Sequence, residues 1–242
     1  MRLKLTLLIT LLIVVVKSWG WSVGDTFLVK GVTYKITDLT NYYVSAIAVS
    51  TDALVEGTNK VIIPATVNDP WDAEKIFTIK SISLSTNDPY IKVLELEKGK
   101  VDAGVASLAG AHFEEVILPS NVTGIQAWDG YVDKFTFKDN SRFYVDSEDG
   151  EVYKNLDDGG LEQIYHFRGN NKRIVNGVYE IKEGVTYVRT ANFTDPIITG
   201  INFSSTVSGF VNSNIATMGY TNILEYSVAE GNKPQIRNHP QK

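Results

Sequence analysis

A chain of 242 residues can bury a core without covalent staples, and with no cysteine this one forms no disulfide. A formal charge of −5 at pH 7 argues against a nucleic-acid binder, which needs a basic face. Twelve Tyr, ten Phe and four Trp with little helical periodicity point to a mostly β protein.

Residues 1–20 read as a signal peptide. Arg2 and Lys4 precede an apolar run over 5–16 that is too short to span a bilayer, and Ser18 and Gly20 are small at the −3 and −1 positions of a cleavage site near Gly20. An exported chain without disulfides favours a bacterial source. Residues 21–57 are expected to form an N-terminal β cap. Within it, TFLV and VTYKI flank Lys30-Gly31, a tight hairpin pair, and a further alternating run follows over 42–49. Trp71 sits in the loop 68–72; it is either an exposed binding aromatic or packed on the cap, with packing preferred because tryptophan is usually buried.

Residues 113–125, FEEVILPSNVTGI, carry the unit that organises the rest. Val116 and Leu118 alternate with Glu115 and Ile117 as in a strand with one buried face, and Pro119 ends it. Val122 and Ile125 lie three apart, which suits a tight turn or 3₁₀-like return. The same mask recurs over 198–210, ITGINFSSTVSGF, and its middle, VILPSNV, recurs over 61–67 as VIIPATV. With Ile63, Leu96, Leu118, Phe137, Ile181, Phe203 and Val228 as equivalent strand positions, successive steps are 33, 22, 19, 44, 22 and 25 residues. Most lie near 22 or twice that, inside the period range of leucine-rich repeats.

The copy at Ile91, Leu94 and Leu96 places Val101 one residue late, and 105–111 reads as a short helical or small-residue layer. A copy opened by Val132, Phe135 and Phe137 is interrupted over about 139–172 by a hairpin turning at Asp149-Gly150, with a third strand over 161–167. Asp146, Glu148, Asp149 and Glu151 lack the spacing of a calcium loop and read as a solvated turn, so no metal ligand is expected. Tyr179, Ile181, Val185 and Val188 resume the pattern, although Asn176 stands where an apolar residue is expected. Repeats are thus expected over 58–232, followed by a polar tail over 233–242.

FEEVILPSNVTGI and ITGINFSSTVSGF resemble the BspA-type leucine-rich repeats of bacterial surface proteins. FLVKGVTYKI is similar to the stretch that often precedes those repeats, and NSRFYVDSEDGEVYKN resembles their hairpin insertion. The chain departs from the family in lacking the alanine–phenylalanine pair that closes each unit, imitated only by Ala127-Trp128. The resemblance implies an irregular leucine-rich-repeat solenoid of short parallel strands with an N-terminal antiparallel β cap and a hairpin insertion. It also implies an exported, secreted or surface-attached binding protein, used for adhesion or recognition of a protein or glycan ligand at a cell or host surface. No nucleic acid or cofactor belongs to that picture, and the membrane only through export. Alternation makes Glu95, Glu97, Glu115, Lys134, Thr136, Lys138, Thr199 and Asn202 outward positions, each also explicable as a plain solvated residue.

Two other classes stand beside this one. His112, His166 and His239 lie outside any nucleophile or zinc motif, so no catalytic residue is expected, though 28 Asp plus Glu leave a two-carboxylate glycosidase open. A carbohydrate-binding β-sandwich using Trp71, Trp128 and Tyr131 would show antiparallel sheets instead of stacked parallel strands. The sequons at Asn121, Asn192 and Asn202 are as many as chance supplies.

Overall fold

A computed structural model describes residues 20–84, 88–108, 111–125, 131–165, 172–189, 198–211, 225–228 and 235–236. The protein is mostly β in several mixed sheets; among the described residues the sole helical element is a 3₁₀ turn at Thr51–Ala53. Residues 1–19, expected as most of a signal peptide, together with Ala127-Trp128, His166, Asn192 and His239, lie outside the described residues.

The first region holds β1 (Thr26–Val29), β2 (Val32–Asp38), β3 (Tyr43–Val49), β4 (Lys60–Ile63), β5 (Thr66–Asn68), β6 (Ile76–Ser83), β7 (Val93–Leu96), β8 (Ala103–Ser107), β9 (His112–Phe113), β10 (Glu115–Leu118), β11 (Val122–Ile125), β12 (Tyr131–Val132) and β13 (Phe135–Phe137). β1-β2-β3 form an antiparallel meander within the span 21–57 expected as a cap. Its first turn, Lys30-Gly31, has φ of 47° and 76°, the doubly left-handed pair a two-residue hairpin requires. A Cβ on Gly31 would stand 2.3 Å from the Ala53 nitrogen, so glycine is needed for space as well as conformation. From β3 the chain changes habit: β3, β6, β8 and β11 pair in parallel, and so do β4, β7, β10 and β13.

The parallel register follows from burial. Val61, Leu94, Val116 and Phe135 pair side by side at 0–2% exposure, and Ile63, Leu96 and Leu118 form the next row at 0–3%. Slipping one strand by a residue would turn that whole row to solvent, at roughly 1.5–3 kcal/mol per large aliphatic side chain. Ile82, Val105 and Ile125 face them from the other ladder, at 0–1% exposure. Asparagines pin adjacent segments: Asn121 donates to the Val101 carbonyl at 2.6 Å, and Asn140 to the Pro119 and Val122 carbonyls at 3.2 Å each.

The second region repeats this order with β14 (Phe143–Val145), β15 (Val152–Asn155), β16 (Leu161–Tyr165), β17 (Ile174–Val175), β18 (Val178–Glu180), β19 (Tyr187–Arg189), β20 (Gly200–Phe203), β21 (Gly209–Val211), β22 (Glu225–Val228) and β23 (Gln235–Ile236). An antiparallel meander, β14-β15-β16, leads into the parallel ladder β16-β19-β21-β23, while β18, β20 and β22 form a second parallel ladder. The antiparallel hairpin β17-β18 matches the bridge between Leu54 and Val61 that introduces β4. The presumed insertion at 139–172 is therefore also the opening sheet of a second cap-and-ladder unit. It serves both cores: Phe143, Val152 and Ile164 belong to the first, whereas Tyr153, Tyr144 and Leu161 pack in the second. Adjacent residues of a strand point to opposite faces, which lets Val152 and Tyr153 each be fully buried on different sides.

Four local expectations change. Residues 122–125 are a strand, not a 3₁₀ return; a bulge between Val122 and Gly124 turns both Val122 and Ile125 inward at 1% exposure. Residues 103–107 are strand β8, not a helical layer, and Val122 pairs with Ala103 instead of Val101. Asn176 is polar because Asn176-Gly177, at φ 51° and 82°, forms the two-residue turn of β17-β18. Within 233–242, expected as an unstructured tail, Gln235–Ile236 pairs with β21.

Candidate functional site

The outer face of β4-β7-β10-β13 brings together five of the eight outward positions named from the sequence. Register places Lys60 beside Val93 and Glu115, and Ile62 beside Glu95, Ile117 and Thr136. Glu95 is gripped by Lys60 on one neighbouring strand and by Lys138 at 2.5 Å from across the sheet. Burial pushes its carboxyl up, but the two lysines more than offset this and hold it below the usual carboxylate range. Glu115 accepts from Lys134 at 2.8 Å and from Thr136 at 2.5 Å, and those two bonds likewise keep its carboxyl low. The charges on this face are thus paired across strands, with half-buried Ile62, Val93 and Ile117 between them.

The other three positions lie elsewhere. Asn202 donates to Glu180 at 3.0 Å and Thr199 to the Gly177 carbonyl at 3.3 Å, both on the second region's ladder. Glu97 is exposed just past β7. His112 stands on the surface, 3.0–3.1 Å from both carboxylate oxygens of Asp133. Trp71 packs on the cap, one face stacking on Trp21 at 4.0 Å, and is also 74% exposed.

No protein-family model matches the chain, and no curated protein matches it. Among solved structures it is similar to a leucine-rich cell surface protein from Faecalibacterium prausnitzii, at 10% identity and a TM-score of 0.33, over 84% of this chain and 76% of that one. It is also similar to the pneumococcal vaccine antigen PcpA, at 10% identity and a TM-score of 0.30, over 86% of this chain and 71% of that one.

Sequence reasoning missed the polar network under the second meander. The acidic turn is only partly solvated: Glu148 is exposed as expected, but Asp146 is 8% exposed and Glu151 0%. Lys182 pairs with Asp146, and Arg173 with Asp149, which also accepts from the Tyr153 hydroxyl at 3.2 Å. Gln163 donates to Glu151 at 2.7 Å and to the Tyr179 hydroxyl at 2.6 Å. Burial pushes both tyrosine hydroxyls far above their ordinary value, so they remain donors at neutral pH. Among the described residues no group of three or more His, Asp or Glu is arranged to hold a metal ion. Asp146, Asp149 and Glu151 each meet a cation or a hydrogen-bond donor, an arrangement that joins two sheets. An Asp-Gly turn has the same composition whether it faces water or a second core, and only the lysine and arginine downstream at 182 and 173 hint at the difference.

Proposed function

We propose that this chain is an exported, surface-associated binding protein, built as a leucine-rich-repeat-type solenoid, that recognises a partner through stacked strands without chemical turnover. The observation that supports it is the parallel ladder β4-β7-β10-β13, stepped by 33, 22 and 19 residues from Val61 through Leu94 and Val116 to Phe135, with one side-chain row buried and the next presented outward. Such a face spreads recognition over many small contacts. Because its carboxylates are already paired with lysines, the free energy of docking comes mainly from covering Ile62, Val93 and Ile117, while the ion pairs set register.

The test is retention of the purified exported chain on bacterial and host epithelial cell surfaces, read by flow cytometry. Retention that falls with Ile117→Asp, in a variant that melts like the wild type, supports the reading. Equal retention of both proteins, or none on any surface, refutes it. Mass spectrometry of the exported protein tests the leader separately, with a chain beginning near Trp21 expected.

A further inference from the structure

A cleft of about 570 Å³ opens between the cap and the first ladder, within the roughly 300–1,000 Å³ of small-molecule sites. Val29, Val32, Leu54, Ile62 and Pro64 supply apolar walls. The polar groups that line it differ from those on the ladder face. Lys30, Asp52, Thr66, Asn68 and Glu97 have no side-chain hydrogen bond or ion pair among the described residues, whereas every charge on the ladder face is paired. Tyr34 also lines the cleft; it is 1% exposed, and its hydroxyl has no partner among the described residues. Burial pushes that hydroxyl up to about 12, so it stays protonated and able to donate into the cleft.

From Tyr34 a row of packed rings runs through the core to the surface. Ring centroids run from Tyr34 to Phe27 at 5.5 Å, to Trp21 at 5.2 Å and to Trp71 at 4.0 Å. Asp69, 4% exposed, anchors the end of this row by accepting from the Trp21 indole at 2.7 Å and from the Trp71 backbone N–H at 2.8 Å. Asn68, which lines the cleft, is its neighbour in the chain. The Trp71 ring lies within 13° of the Trp21 plane, so one face is covered and the other is held bare and flat.

We propose that the cleft and the Trp71 face together bind a neutral oligosaccharide, with one pyranose ring on the indole and the hydroxyls of neighbouring rings in the cleft. A sugar ring offers an apolar C–H face to an aromatic plane and a hydroxyl, donor and acceptor at once, on nearly every carbon. That suits a cleft holding the acceptors Asp52, Glu97 and Asn68 beside the donors Lys30, Thr66 and Tyr34. Two carboxylates against one ammonium disfavour an acidic glycan. The proposal does not rest on docking at the ladder face.

Calorimetry and tryptophan fluorescence of the full exported chain with cellohexaose, xylohexaose, maltohexaose and chitohexaose test it. At least one sugar is expected to bind saturably with a shift in indole emission. Trp71→Ala should weaken it roughly tenfold, about 1.4 kcal/mol, while Trp71→Phe retains most of the affinity. Tyr34→Phe, which keeps the ring and removes the hydroxyl, should weaken binding several-fold without lowering the melting temperature. Silence from all four sugars, or unchanged affinity in Trp71→Ala, overturns the proposal, and neither result bears on cell-surface retention through Ile117.

Discussion

Residues 26–137 and 143–236 run through one order of elements, from antiparallel meander to twin parallel ladders, but they put their charges in different places. The first meander packs its inner face with Phe27, Tyr34 and Ile36, and the first region keeps its ion pairs on the outer face of a ladder, where Glu95 meets Lys60 and Lys138. The second buries Asp146, Glu151, Glu162 and Gln163. The cause is position. The first meander closes one end of one core and can keep a wet face. The second stands between two cores, so polar side chains on either side of its strands lose water and need protein partners.

That comparison can be broken most directly at Phe143. It belongs to the second region by sequence but stacks on Phe137 of the first at 5.7 Å and is 1% exposed. Phe143→Ala should cost about 3–5 kcal/mol and lower hydrogen-exchange protection in β13, whereas Tyr153→Ala should lower it in β18 and β20. If β13 keeps its protection in Phe143→Ala, the two cores do not share a wall.

Next in size is the contrast between the two meander turns. Gly31 and Gly150 have φ of 76° and 75°, but only Gly31 is crowded by backbone, while nothing lies within 4 Å of a Cβ on Gly150. Gly31→Ala should therefore lose at least ~2 kcal/mol in urea unfolding, against about 1–2 kcal/mol for Gly150→Ala, which carries the conformational cost alone.

Lys182→Met removes the partner of Asp146 and should cost about 1–3 kcal/mol at neutral pH. Burial raises the Asp146 carboxyl, but Lys182, the Glu148 backbone N–H and Arg173 together more than offset this, so the folded value lies below the unfolded one. Its contribution is then complete above the ordinary carboxylate value, near 4, and is lost as pH falls through the lower folded value. The stability gap between wild type and Lys182→Met should shrink over that acid window. The lysine behaves oppositely. Its hydrogen bond to Asp146 raises it, so its contribution holds below the ordinary lysine value and fades only as pH rises through the higher folded one. Smallest of all should be Glu95→Gln on the outer face, under about 1 kcal/mol and shrinking further in high salt.

Much of the ladder was legible in advance. Ile63 pairs with Leu96, Leu118 with Phe137 and Phe203 with Val228, all chosen from alternation and spacing. The second ladder was not, because β8 is built from small residues and β11 carries a bulge, so neither shows a clean period of two. The turn at Asn176-Gly177 was missed for a related reason: a search for apolar positions sees only a gap where backbone conformation demands asparagine and glycine.

Composition, alternation and the spacing of recurring segments were enough to anticipate a mostly β chain, the buried rows and paired positions in a parallel ladder, since burying alternate side chains is a local constraint written every second residue. Whether the acidic turn at 146–151 meets water or a second core, and whether Lys30, Tyr34 and Asn68 converge on one cleft, depends on contacts between segments distant in sequence, which spacing along the chain does not encode.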